Sequence, residues 1–354
     1  MNEDIKYFSN KATDIDKLVD ILSYRRQHNS PGIEAFKSEY FEGFDTLKNE
    51  KGEDIAYTFN NSDASLSSSV LWSCHIDTMH RGEPEKLRQE VFVDMEGTAF
   101  VDASCQCLGA DDGAGVFMLL EMAKAGVPGQ YIWNFAEEVG CLGSKQVERL
   151  FPDWLSTFTH AIAFDRRDNH SIITHQMGER MCSDEMALHF SNLLNMGHEL
   201  DPTGSYTDTA QWSELVPECV NFSIGYSSEH SSSETCDIGY VMRLKDAICA
   251  VTDWNLPVVR DPAVKDYETS RVSMLNVSNK KLNAREPLSS SELRSATPEA
   301  VVAYCKSANA NTIAWTIEDL IQEIMDLESK LSDDWGIKFD DYGDEHSRLD
   351  AGMQ

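Results

Sequence analysis

Val70-Leu71-Trp72-Ser73-Cys74-His75-Ile76-Asp77 is a short apolar run that stops on a histidine and an acid. Its apolar residues do not alternate with charged ones, which is how a strand buried on both faces reads. The same texture repeats outward from it. Apolar runs at 55–59, 131–136, 161–164, 171–174 and 220–226 alternate with helical spacing at 113–125, 143–150 and 180–194, and 238–253 follows the last run. Upstream, residues 13–26 set Ile15, Leu18, Val19, Ile21 and Leu22 at helical intervals, and 33–41 reads as a second helix. This alternation predicts an α/β domain, with a central mixed, mostly parallel sheet flanked by helices.

After Pro257 the pattern fades. Residues 258–297 are polar and turn-rich, and the next strong periodicity is an amphipathic helix near 316–331, with Leu320, Ile321, Ile324, Met325, Leu327 and Leu331 apolar. The chain therefore reads as a functional domain over 1–260 and a small, mostly helical C-terminal appendage over 261–354.

Composition narrows the partners. Asp and Glu number 60 against 30 Lys and Arg, a net charge of −30, and no basic stripe is present to displace counterions from a polynucleotide. The same excess disfavours an anionic lipid surface. With 41% hydrophobic residues the chain still has enough apolar surface for a large core. No apolar stretch approaches the roughly 20 residues that span a bilayer. The opening residues show no basic-then-apolar leader, and the nine cysteines are odd in number and irregular in spacing. These features predict a cytoplasmic protein with reduced thiols, and no nucleic-acid or membrane partner.

The chemistry sits where the strands end. The run at 70–74 leads to His75 and Asp77, and Leu108-Gly-Ala leads to Asp111-Asp112-Gly-Ala-Gly at the start of a helix. The run at 131–136 ends in Glu137-Glu138-Val-Gly, that at 161–164 in Asp165, and that at 220–226 is followed by His230. Taken singly these are ordinary features: a surface His-x-Asp, a helix cap, a solvated strand end. Open α/β sheets, however, gather their sites in the crevice outside the carboxyl ends of the strands. Five such segments, each bringing an acid or a histidine, can converge there.

Two imidazoles with several carboxylates suit zinc, manganese or cobalt, whereas an all-oxygen set would suit magnesium or calcium. The set is too large for one four-coordinate catalytic ion that keeps a water. It suits two divalent ions sharing a bridging carboxylate, which activate water and polarise a carbonyl.

His75-x-Asp77, Gly109-Ala-Asp111-Asp112-Gly-Ala-Gly, Glu137-Glu138-x-Gly-x-x-Gly-Ser144, Asp165 and His230, in this order, resemble the successive motifs of the co-catalytic zinc exopeptidase superfamily. That group includes zinc aminopeptidases, peptidase T-type tripeptidases and glutamate-releasing carboxypeptidases, and the resemblance covers roughly residues 10–255. It implies His75 and His230 as ligands of different ions, Asp111 as the bridge, and Glu138 and Asp165 as one further ligand for each. It implies Glu137 as the general base and Asp77 as the carboxylate that orients His75. Relatives with a single acid at this point read Asp-x-Lys-Gly, which favours Asp111 over Asp112 as the bridge. The usual Lys after the acid pair is Gly113 here.

Only 64 residues separate Asp165 from His230, too few for the lid domain that some relatives insert there. His175, His189 and His198, in that interval, are read as core or surface histidines, and Cys74 and Cys141 as packing residues. The resemblance implies a zinc-dependent aminopeptidase acting on short peptides, with cobalt or manganese as alternative metals. A carboxypeptidase, deacylase or other amidohydrolase acting on N-acyl amino acids is the second reading, and a non-catalytic scaffold on this fold the third. Oligomeric state is left unassigned.

Overall fold

A computed structural model of the chain describes residues 5–61, 69–82 and 85–264. These belong to the first of two units, Met1–Glu268 and Thr269–Gln354. From residue 265 onward, the extension read over 261–354, with its helix near 316–331, lies outside the described residues.

Eight strands form the main sheet: β1 (Asp45–Lys48), β2 (Asp54–Asn61), β3 (Val70–His75), β4 (Gly129–Asn134), β5 (His160–Arg166), β6 (Ser171–Ile173), β7 (Glu199–Asp201) and β8 (Glu218–Ser223). Their spatial order is β1-β2-β4-β3-β5-β8-β6-β7. The central strands β4, β3, β5 and β8 run parallel. β2 joins β4 antiparallel and β1 joins β2 antiparallel. On the other side β6 is antiparallel to β8 and parallel to β7. The sheet is mixed and mostly parallel, with helices on both faces.

Two apolar layers explain why the central strands read as unbroken runs. Trp72, Trp133, Phe164 and Phe222 alternate onto one face, and Leu71, Ile132, Ala161 and Cys219 onto the other. All are nearly or fully buried. Each large apolar side chain so buried contributes roughly 1.5–3 kcal/mol.

Six helices of eight residues or more pack around the described sheet: α1 (Asp14–Ser23), α2 (Pro31–Tyr40), α3 (Ala110–Ala125), α4 (Leu142–Leu150), α5 (Asp184–Leu194) and α6 (Ile238–Cys249). Thr13, Ser30, Ser183 and Asp237 cap four of them, each side chain accepting a first-turn N–H. α3 is buried on every side from Ala110 to Ala123, as an apolar helix inside a core must be. Its deep Glu121 is matched by Lys17 Nζ at 2.8 Å and Tyr7 Oη at 2.6 Å.

The interval between Asp165 and His230 builds β6, α5, β7, the short helix Asp208–Gln211 and β8, all within the one unit. A second, four-stranded sheet orders Tyr226–Ser227, Thr235–Asp237, Thr98–Phe100 and Phe92–Val93. It clamps the two ends of the loop that carries His230. The chain after α6 remains attached to the core: His160 Nε2 lies 2.9 Å from Pro257 O, and buried Glu218 accepts the N–H groups of Val259 and Arg260. Among the described residues no helix is long and apolar enough to cross a membrane.

Candidate active site

The seven residues singled out in the sequence come together at the carboxyl ends of the central strands. His75 is the last residue of β3, and Asp165 lies near the end of β5. Glu137 and Glu138 occupy the turn after β4, Asp111 the entry to α3, and His230 the loop between Tyr226–Ser227 and Thr235–Asp237.

Asp111 stands between the two histidines. Its Oδ1 is 3.1 Å from His75 Nε2, and its Oδ2 is 3.1 Å from His230 Nε2. On the His75 side, Asp165 Oδ1 lies 3.5 Å and Glu137 Oε2 3.9 Å from Nε2. On the His230 side, Glu138 Oε2 lies 3.1 Å from Nε2. His75 is buried, whereas the His230 side chain is 43% exposed and its backbone sits at φ 62°. A left-handed conformation is uncommon for such a residue and is found where function constrains the chain.

Asp77 joins two of the motifs. Its Oδ1 and Oδ2 accept the N–H groups of Glu137 and Glu138 at 3.0 and 3.1 Å, and Oδ1 lies 3.6 Å from His75 Nδ1. Its side chain thus fixes the turn of the paired glutamates, and its backbone O, 3.2 Å from His75 Nδ1, orients the imidazole. Asp112 has a different use: its oxygens accept from His75 N at 3.2 Å and Gly115 N at 2.9 Å. Donor atoms of His75, Asp112 and Asp165 also fall within 4.8 Å of one another, as do those of His75, Asp111 and Glu138. The backbone N–H bonds set Asp112 apart as the cap of α3, and leave Asp111 facing both histidines.

Sequence reasoning missed two supports. Glu234 is buried, and its carboxylate accepts four successive N–H groups: Leu108 at 2.9 Å, Gly109 at 3.1 Å, Ala110 at 2.7 Å and Asp111 at 3.0 Å. It ties the loop of His230 to the loop of Asp111. Arg26, fully buried three residues beyond α1, donates to Ile76 O, Ile21 O and Gly109 O at 2.8 Å each. A Cβ at Gly113 would meet Arg26 Nη2 at 2.8 Å, so the guanidinium occupies the space beside that glycine. Neither residue lies in a motif, and their partners are backbone atoms, all but Ile21 O remote in sequence.

Burial pushes Glu138 up to about 8, with the charge of Asp111 adding to it, and raises Glu137 well above the carboxylate range. Burial opposes protonation of His75 and His230, but the surrounding carboxylates outweigh it and raise both, His230 to about 11. Crowded acids in a low-dielectric crevice thus favour positive charge among them. Glu138 Oε1 is buried with no partner among the described residues. Two imidazole nitrogens and four carboxylates, one of them Glu138 with its orphaned oxygen, fit a divalent-metal site.

Cys141, read as a packing residue, is buried and also reaches the site, its Sγ donating to Glu137 Oε1 at 3.3 Å. Cys74 is buried in the core, and the eight described cysteines are free thiols. His175 and His198 are buried and His189 is half-buried. The crevice floor is formed by Asp111, Glu137, Asp165 and His230, with Arg166, Arg167, Tyr206 and Tyr226 among its walls.

Residues 54–179 match the model of peptidase family M28. The match bears out the resemblance to co-catalytic exopeptidases drawn from the motifs, and spans all the singled-out residues except His230. Solved structures of similar fold include a tripeptidase from Staphylococcus aureus subsp. aureus Mu50, with TM-score 0.53 and 13% identity, covering 68% of this chain and 97% of that one. Aminopeptidase PepT from Bacillus cereus ATCC 10987 is similar with TM-score 0.54 and 10% identity, covering 69% of this chain and 98% of that one. At such identities the likeness is one of fold. No curated protein matches the chain.

Proposed function

We propose that this chain is a metal-dependent aminopeptidase that removes the N-terminal residue of short peptides, using two divalent ions, with zinc the first choice and cobalt or manganese the alternatives. The observation that carries this reading is Asp111, whose two oxygens face His75 and His230 at 3.1 Å each. That is the disposition of a carboxylate shared between two positions. His75 and Asp165 would hold one ion, Glu138 and His230 the other, and Asp111 both. The ions would supply Lewis acidity towards the scissile carbonyl and lower the pKa of water.

The chain's own residues do the rest. Glu137 Oε1 is engaged by Cys141, which leaves Oε2 to take the proton of the attacking water and return it to the leaving amine. Asp77 holds the Glu137–Glu138 turn and the His75 ring in register, so the base and a ligand move as one unit. The acidic crevice favours a substrate that carries a free α-ammonium group.

Hydrolysis of alanine or leucine p-nitroanilide, compared with N-acetylated amino acids, tests the reading. The anilides should be turned over after zinc or cobalt loading. Turnover confined to the N-acyl compounds would replace the aminopeptidase reading with a deacylase or carboxypeptidase.

A further inference from the structure

The turn that carries Glu137 has a cavity on each side. The crevice takes its walls from Asp165 at the end of β5, Ile173 of β6 and Asn221 of β8, and Glu137 marks its opposite limit. In the spatial order these three strands lie beyond β3 and its His75, whereas Glu137 follows β4. A second cavity, of about 430 Å³, lies in the other direction. It is lined by Ile33 of α2, Ile55 of β2, Phe135 and Ala136 after β4, and Leu142 and Gln146 of α4. Because β2 runs antiparallel to β4 and pairs Ala56 with Asn134, its first residues stand at the same edge of the sheet as the site.

One piece of backbone separates the two. Ala136 and Leu142, which line the second cavity, bracket the turn and are joined by a hydrogen bond from Leu142 N to Ala136 O at 2.9 Å. Val139 within the turn and Leu142 at its end are exposed apolar side chains. Ile33, Ile55 and Phe135 are buried, so the cavity has an apolar floor. The charged groups around it already have partners. Lys37 Nζ is 2.8 Å from Glu34 Oε1 and 4.2 Å from the Phe135 ring centroid, Glu53 Oε2 accepts from Asn49 Nδ2 at 2.8 Å, and Asp54 is held by Lys48. What the cavity offers a ligand is its apolar surface, at a size suited to a small ligand or a few residues of peptide.

We propose that this second cavity binds the leaving part of the substrate, taking an apolar side chain about three residues beyond the scissile bond. The inference rests on the aminopeptidase reading and adds to it a length and side-chain preference. Glu137 returns its proton to the leaving amine, so the leaving chain begins at the boundary between the two cavities while the N-terminal residue occupies the crevice. Two backbone limbs with their side chains are roughly 10 Å across. About three extended residues, at roughly 3.3–3.6 Å each, cross that width over Val139 and Leu142. Peptides of about four residues or more, with a large apolar fourth residue, are then the preferred substrates.

The test compares kcat/KM of the zinc-loaded, full-length protein for Ala-Ala-Ala-Leu-Ala and Ala-Ala-Ala-Gly-Ala. The leucine peptide should be favoured about 10-fold or more, mainly through KM, as burial of one leucine side chain requires. Leu142→Asn removes an exposed apolar wall, and Gln146→Trp fills the cavity from a half-buried position. Each should bring the two peptides to within about threefold of one another. Alanine p-nitroanilide has nothing that reaches the cavity, so its turnover should be the same in all three proteins and reports separately on the proposed activity. Equal kcat/KM for the two peptides in a protein that hydrolyses the anilide, or a leucine preference that survives both substitutions, would overturn the role of the cavity.

Discussion

Glu234 Oε1 accepts the backbone N–H of Asp111 at 3.0 Å, so a carboxylate four residues beyond His230 sets the position of the residue that faces both histidines. The two loops thereby become one mechanical unit. Glu234→Ala would leave four buried N–H groups without an acceptor and should cost about 3–5 kcal/mol of stability in urea unfolding. Glu234→Gln, which keeps the shape but turns a donor towards those groups, should weaken zinc binding by about 10–100-fold. Equal zinc affinity in a folded Glu234→Gln protein would show that the clamp is only structural.

Asp77→Asn keeps the size of the side chain but can accept with only one of its two positions. One glutamate N–H loses its acceptor, and the paired-glutamate turn loosens. A fall in kcat of about 10–100-fold is expected, with the protein still folded and still binding metal. Steady-state kinetics beside metal analysis reads the two effects separately. Unchanged kcat would mean that the turn holds Glu137 without Asp77.

Gly143, in the first turn of helix α4, packs directly against backbone. A Cβ there would sit 2.3 Å from Phe135 O and 2.7 Å from Ile55 O, and both atoms belong to strand-end backbone that cannot swing aside. Gly143→Ala should cost about 1–3 kcal/mol, seen as a lower urea midpoint at constant slope. Because the displaced backbone leads into Glu137, activity should fall further than stability alone accounts for.

His198 gives the stability a pH dependence of known sign. Tyr240 Oη donates to Ser223 O, so His198 Nε2 must donate to Tyr240 Oη at 2.6 Å, and its buried Nδ1 has no partner among the described residues. Protonating Nδ1 would bury an unpaired N–H against the Phe222 ring, 4.3 Å away between centroids. Burial lowers the imidazole to about 4, with the neighbouring His170 adding to the effect. The unfolded chain binds that proton near pH 6.5, so the contribution is intact above that pH and is lost as pH falls towards 4. Between these limits the slope contributed is up to about 1.4 kcal/mol per pH unit. Urea unfolding of His198→Gln from pH 7 to 4.5 should show a shallower decline than wild type. Parallel declines would remove His198 as the source.

The central strands and the ligands at their ends were legible because both are written locally. A strand buried on both faces must be apolar throughout, and a ligand at the strand end must be an acid or histidine at a fixed offset. Strands β1 and β7 were missed because each is short, at a sheet edge, and only partly buried. The small sheet of Phe92–Val93, Thr98–Phe100 and Thr235–Asp237 has strands of two or three residues, too short to show a period. Glu234 and Arg26 were illegible for another reason: they bond to backbone atoms, which leave no mark in the side-chain sequence. The resemblance placed a bridging role on Asp111, and the geometry that favours it came from the partners of Asp112. The net charge of −30 is partly the cost of assembling such a crevice, because its carboxylates crowd together in the absence of matching cations.

The central claim is a shared, two-ion site, and counting ions tests it most directly. Equilibrium dialysis against zinc, followed by elemental analysis, should give two ions per wild-type chain and one per His230→Ala chain, with Glu137→Gln retaining two. One ion or fewer in wild type, or an unchanged count in His230→Ala, would contradict it.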